Sequence, residues 1–195
     1  MKKICVEWKG ITPLIMNSCK TVNPLHPIAL AKREITDKPS RKRTVDDLIH
    51  LSDLEWEGSL YHDDDIGLYV PAENIEATVR DGAKARRKGK DIVRCFNVVE
   101  MRVPLDIGEV LTLDQMRDDY RFRDVRQMTV QRARVTRTRG RFNMWRIVFT
   151  ATYDETQINL DTVVYAMQYA GQYVGLCDSR PKYGKFEVVN VTELD

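Results

Sequence analysis

The chain predicts an α+β fold: one antiparallel sheet in a split βαβ arrangement, with a large insertion after the first strand and an arginine-rich hairpin ahead of the last helix. Three observations carry this. Ile4, Val6 and Trp8 alternate with Lys3, Cys5, Glu7 and Lys9, the period-two pattern of a half-buried strand. A short strand-like run, Leu68-Tyr69-Val70, feeds a helix opened by Pro71. A second helix near the C-terminal end leads through a glycine-bearing loop into a closing strand, Phe186 to Val191. The order strand, insertion, helix, strand, strand, helix, strand is the ferredoxin-like, or RRM-like, arrangement. The 195 residues suit a single domain over 1–195, with 19–67 as an insertion and 104–120 as a polar excursion.

Element by element, Gly10 and Pro13 interrupt the first strand, and Leu14-Ile15-Met16 continues it after a bulge. Residues 19–43, with Pro24, Pro27, Pro39 and the basic run Arg41-Lys42-Arg43, read as a long functional loop. Thr44 caps a short helix, and Asp47 completes a capping box. Leu60-Tyr61 and Leu68-Tyr69-Val70 pair around an acidic turn. The helix begun at Pro71 buries Ile75, Val79 and Ala83, and Arg86-Arg87-Lys88 before Gly89 marks its end. Residues 98–103 form a strand. Residues 125–138 and 142–153 are strand-like runs joined by Arg139-Gly140-Arg141 as a hairpin turn. Asn159 or Asp161 opens the last helix, in which Leu160, Val164, Met167, Gly171 and Val174 share one side.

Net charge is only +2, but its placement is uneven. Residues 121–146 hold nine arginines against a single acid, Asp124, while Asp53, Glu55, Glu57, Asp63, Asp64 and Asp65 gather earlier. Cys5, Cys19, Cys95 and Cys177 lack the close spacing of a zinc or redox motif. No signal-peptide h-region follows Met1, which favours reduced thiols in a cytoplasm. No apolar run approaches the ~20 residues of a membrane span, so a soluble protein is expected.

Arg126, Arg132, Arg134, Arg137, Arg139 and Arg141 are candidate phosphate contacts, because a planar guanidinium donates two parallel hydrogen bonds. Phe142, Trp145 and Tyr153 lie near them in sequence and could stack on unpaired bases. The plainer account is an exposed hairpin kept apart by charge. The helix start after Pro71 offers free backbone N–H groups to an anion, although Glu73 and Glu76 compete for them. In the loop Gly175 to Gly184, two glycines permit close backbone approach, and Arg180, Lys182 and Lys185 add charge. No nucleophile–base pair, P-loop or dinucleotide fingerprint is present, and no cofactor is implied.

Three segments resemble the RAMP superfamily of CRISPR-associated proteins, in particular its guide-RNA-coating backbone subunits. Ile11-Thr12-Pro13-Leu14-Ile15-Met16-Asn17-Ser18 is similar to the end of the family's first strand. Tyr69-Val70-Pro71 through Arg80 is similar to its strand–Ile-Pro-Gly-Ser-Ser-Leu-Lys-Gly–helix signature, with Ala72, Glu76 and Ala77 in place of Gly, Lys and Gly. Gly175 through Phe186 resembles its glycine-rich loop before the last strand. The resemblance implies binding of single-stranded RNA or DNA, as repeated copies along the strand or within a CRISPR-type complex, with Arg80, Arg180, Lys182 and Lys185 among the contacts. Some members cleave RNA with an Asp in the loop after the first strand. The matching segment here offers Asn23, which implies binding without cutting. Two other classes remain open: a metal-dependent nuclease using Asp63, Asp64, Asp65 and Asp37, and an interaction module whose hairpin docks on an acidic partner.

Overall fold

The computed structural model describes residues 1–130 and 133–194. In chain order the elements are β1 (Lys2–Gly10), β2 (Leu14–Ile15), α1 (Pro27–Thr36), α2 (Val45–Ser59), β3 (His62–Asp63), β4 (Gly67–Pro71), α3 (Ala72–Ala83) and α4 (Gly89–Cys95). There follow β5 (Phe96–Val98), β6 (Arg102–Asp106), α5 (Leu113–Asp118), β7 (Arg123–Val130), β8 (Ala133–Phe142), β9 (Arg146–Tyr153), α6 (Leu160–Tyr169) and β10 (Phe186–Leu194). The class is α+β, and β1 with β10 and β9, β3 with β4, β4 with β6, β5 and β6 with β9, and β7 with β8 all pair antiparallel. The residues divide into two compact units: 1–14, 62–109 and 142–195 form the first, and 15–61 with 110–141 form the second.

The first unit is a sheet in the order β10-β1-β9-β6-β4-β3, with β5 also paired to β9. Alternation fixes its register. Ile4, Val6 and Trp8 of β1 face Ala151, Phe149 and Ile147 of β9, and all six are buried. Each large apolar side chain so removed from water contributes about 1.5–3 kcal/mol. Trp8 stacks on Phe186 of β10 at 3.9 Å between ring centroids and meets Phe149 edge-on at 5.1 Å. Thus the first and last strands are neighbours. α3 and α6 supply the helical layer. They pack so closely that a Cβ added at Gly82 would stand 2.1 Å from the Ala166 carbonyl oxygen and 2.8 Å from the Ala170 Cβ.

In the second unit β7 and β8 pair from Arg123↔Gly140 to Val130↔Ala133, and Met16 N–H donates to the Gly140 carbonyl at 2.9 Å. Trp56 of α2 is fully buried and donates its indole N–H to the Phe122 carbonyl at 2.8 Å. The Thr44–Asp47 capping box forms as the sequence predicts. A segment expected to be loop is not one: residues 27–36 are helical, because Pro27 occupies a first-turn position and the His26 ring accepts the Ile28 N–H. Arg43 then reaches back to the carbonyls of Thr36 and Lys38, satisfying the end of that helix.

Other boundaries move for local reasons. Pro71 is the cap of α3 and not its first residue. The helix ends at Ala83, passes through a tight turn at Lys84–Arg86, and closes at Arg87, whose φ of 60° is left-handed. The expected strand over 98–103 is two strands, β5 and β6, and β6 carries the sheet through Pro104 and Leu105 to Asp106. Arg139-Gly140-Arg141 is no turn. It lies within β8, paired to β7 on one side, and the bend to β9 falls at Asn143-Met144. The arginines there misled the reading because Gly140 suits a turn equally well, yet its position in β8 is buried.

Candidate nucleic-acid interface

The cationic surface of the first unit grows out of the end of α3. Arg80 lies in the last turn of α3, and Lys84 is the residue that caps its end. The left-handed Arg87 then redirects the chain so that α4 returns with Lys90 and Arg94 on the same side. These five cationic side chains, with Val93 and Gly89, line a cleft of about 460 Å³ that has no acid in its lining. Val93 is exposed at 64%, an apolar floor among charges. Arg87, Lys90 and Arg94 make no ion pair among the described residues, so their donors remain available to an anion.

Arg80 and Lys84 are tethered at the rim by Asp81, at 2.9 and 2.7 Å, and Arg180 approaches the same carboxylate at 3.7 Å. Burial pushes the Asp81 carboxyl up, but the hydrogen bonds and charges of Lys84 and Arg80 outweigh it and hold the group below its ordinary value of 3.8. Asp81 therefore joins two segments that the sequence left apart, the α3 helix and the Gly175–Gly184 loop. That loop is anchored to α3 by the Thr78 hydroxyl, which donates to the Gly175 carbonyl at 3.3 Å. The Asn74 amide also reaches the Cys177 sulfur at 3.6 Å.

The glycines of that loop serve the loop itself. A Cβ at Gly184 would sit 2.0 Å from the Leu176 carbonyl oxygen, and Leu176 N–H donates to the Gly184 carbonyl at 2.8 Å. Close backbone approach is thus spent on closing the loop's own neck. Lys182 is exposed. The Lys185 backbone is bound to residues 11 and 12 through its carbonyl and N–H.

At the start of α3 part of the local hydrogen-bonding capacity is already engaged. Ala72 N–H donates to the Met101 carbonyl at 3.1 Å, and Glu76 accepts the Val98 N–H at 2.9 Å, tying the helix to β5. This gives Glu76 a structural task.

On the hairpin, Arg132 lies outside the described residues. Arg134 is exposed. Arg126 is bound to Asp124, and Arg137 to Glu55. Glu55 is nearly fully buried, lies 3.4 Å from Lys32 and accepts the Thr138 N–H at 3.0 Å. Neither Arg139 nor Arg141 is without a partner. Arg126 and Arg137 are direct cross-strand partners, and like charges so placed would repel without Asp124 and Glu55 beside them. Much of the hairpin's charge is therefore already committed within the second unit.

The aromatics expected to stack on bases are core residues. Phe142, Trp145 and Tyr153 are 0%, 3% and 1% exposed, and Trp145 donates its indole N–H to the Thr12 carbonyl. Their neighbouring polar residues suggested a surface, but strand alternation points the rings inward. Asp63 accepts the N–H groups of Asp65 and Ile66 and is bound to Arg102, so it shapes its turn. Asn23 likewise accepts the Leu25 N–H at 3.0 Å. Among the described residues no three His, Cys, Asp or Glu side chains gather as a metal site, and no helix is long and apolar enough to cross a membrane.

Sequence reading named Arg80 and missed Lys84, Arg87, Lys90 and Arg94. A signal was present: residues 80–94 hold seven Lys or Arg against two Asp. In sequence the run has the look of helix-end charge, and the return of the chain at Arg87 is what makes it a surface. No protein-family model matches the chain, and none of the curated proteins matches it.

Proposed function

We propose that this protein binds single-stranded nucleic acid, RNA or DNA, without cleaving it, and that the cleft between α3 and α4 holds the phosphates. The observation that carries the reading is the convergence of Arg80, Lys84, Arg87, Lys90 and Arg94 on one cleft without an opposing acid. Phosphates spaced along a strand reward such a row of cations by releasing condensed counterions. Arginine adds bidentate geometry where lysine adds a point charge.

The strand order β10-β1-β9-β5, with α3 and α6 as the two crossovers, supports the ferredoxin-like reading and, with it, the likeness to guide-RNA-coating subunits. On that likeness, several copies line up along one strand. Arg180, at the Asp81 rim, and the exposed Lys182 of the same loop extend the phosphate path.

Anisotropy titration of a labelled single strand across a salt series tests the reading. Replacing Arg87, Lys90 and Arg94 together by Ala should weaken binding and flatten the log affinity–log salt slope by about 2, at roughly 0.7 per phosphate lost. Replacing Arg134, Arg137 and Arg139 should do less. Unchanged affinity in the cleft variant removes the cleft from the site. The oligomer should also be recovered intact after incubation with magnesium or manganese, and metal-dependent cutting would overturn the non-catalytic part.

A further inference from the structure

Beside the cleft, α6 and the π-helical turn that continues it, Ala170–Val174, carry Tyr165, Tyr169 and Tyr173 at i, i+4 and i+8. Aromatics at that spacing usually belong to a core. Here the buried positions are Val163, Ala166, Met167, Ala170 and Gly171, and the tyrosines lie outside that stripe. Tyr165 and Tyr169 are half-buried and Tyr173 is 54% exposed. Their rings form a ladder, 6.0 Å from Tyr165 to Tyr169 and 4.7 Å from Tyr169 to Tyr173. The Arg86 guanidinium covers the other end, 3.3 Å from the Tyr165 centroid.

Arg86 ties the ladder to the cleft. The Lys84–Arg86 turn delivers Lys84 to the cleft lining and Arg86 to Tyr165, with Arg87 next in the chain returning to the cleft. A cationic trough thus adjoins, through Arg86 and Tyr165, one end of a row of planar groups whose far end is exposed at Tyr173. Trp8, Phe149, Tyr153 and Phe186 of the sheet are buried, whereas the ladder is an accessible aromatic row joined to the charge through Arg86. Resting on the cleft reading above, we infer that unpaired bases of the bound strand stack on the Tyr169–Tyr173 end of this ladder while their phosphates follow the cleft. Stacking uses the face common to every base, so the ligand is single-stranded and its sequence is weakly read. A duplex, with its bases already stacked, gains nothing from the ladder.

The test compares two labelled single strands of equal length and phosphate number, one of thymidines and one abasic throughout, on wild type and on the double variant Tyr169→Leu/Tyr173→Leu. Wild type should prefer the base-bearing strand by at least about fivefold, the lower end of one stacked base. The Leu variant should lose that preference and keep its salt slope. Tyr173→Phe, which retains the ring, should keep the preference. Equal binding of the two strands by wild type, or an undiminished preference in the Leu variant, overturns the ladder and leaves the cleft standing. Failure of wild type to bind either strand at low salt overturns the cleft reading and the ladder with it.

Discussion

Asp81 sets two properties against each other. Its carboxylate engages Arg80, Lys84 and Arg180, so it orders the rim and also competes with any phosphate for those cations. Its folded pKa is lowered, so its stabilisation is complete above the ordinary value of 3.8 and fades as pH falls through the folded value. Asp81→Asn should therefore flatten the acid limb of a stability–pH curve measured by thermal melting. At neutral pH and low salt the same variant should bind a single strand about threefold more tightly, the weight of one unit charge ~7 Å from a phosphate in water-like surroundings. Cys177 offers a second check at this scale. Burial pushes its thiol up to about 12, and the Asn74 hydrogen bond and the Arg180 charge only partly oppose this. The residue as a whole keeps some exposure, but a thiol so raised holds little thiolate, the nucleophilic form, at neutral pH. Iodoacetamide followed by mass spectrometry should label the exposed Cys19 first, with Cys177 protected until the chain unfolds.

Among the elements, the contact of α3 with α6 depends on Gly82. Ala would improve helix propensity by about 1 kcal/mol. Its Cβ, however, would collide with the Ala166 backbone oxygen, which cannot swing aside as a side-chain tip can. Gly82→Ala should lower stability by a net ~1–3 kcal/mol in urea melts. Elements written into local chemistry were legible in the sequence: β1 by its alternation, α2 by its capping box, α3 by Pro71 and its Ile75–Val79 spacing. The helix at 27–36 was hidden because three prolines across 24–39 read as loop, although one of them sits where a helix begins. Gly140 deceived in the opposite direction, a turn residue in the middle of a strand. The hairpin arginines were visible as a composition. Their partners were not, since Glu55 lies 82 residues from Arg137. The cleft shared that problem: its side chains are close in sequence, but the left-handed residue that folds them together has no signature in an Arg.

For the whole molecule, the placement of β1 has a consequence for how the chain is made. β1 pairs with β9 and β10, so once made it waits for residues 146–153 before it has one neighbour and for residues 186–194 before it has both. All residues of the second unit are available once residue 141 has emerged. The second unit can therefore close during synthesis while Ile4, Val6 and Trp8 are still unpaired, a window in which an apolar strand edge invites association between nascent chains. Ending the chain before Phe186 should leave β1 paired to β9 alone, with its other edge permanently open and Trp8 without the ring it stacks on. Such a truncated protein should be recovered as aggregate, with residues 15–61 and 110–141 more protected from protease than β1. Closure over so long a sequence separation is also slow. Refolding from urea should be biphasic, the Trp56 environment recovering before that of Trp8.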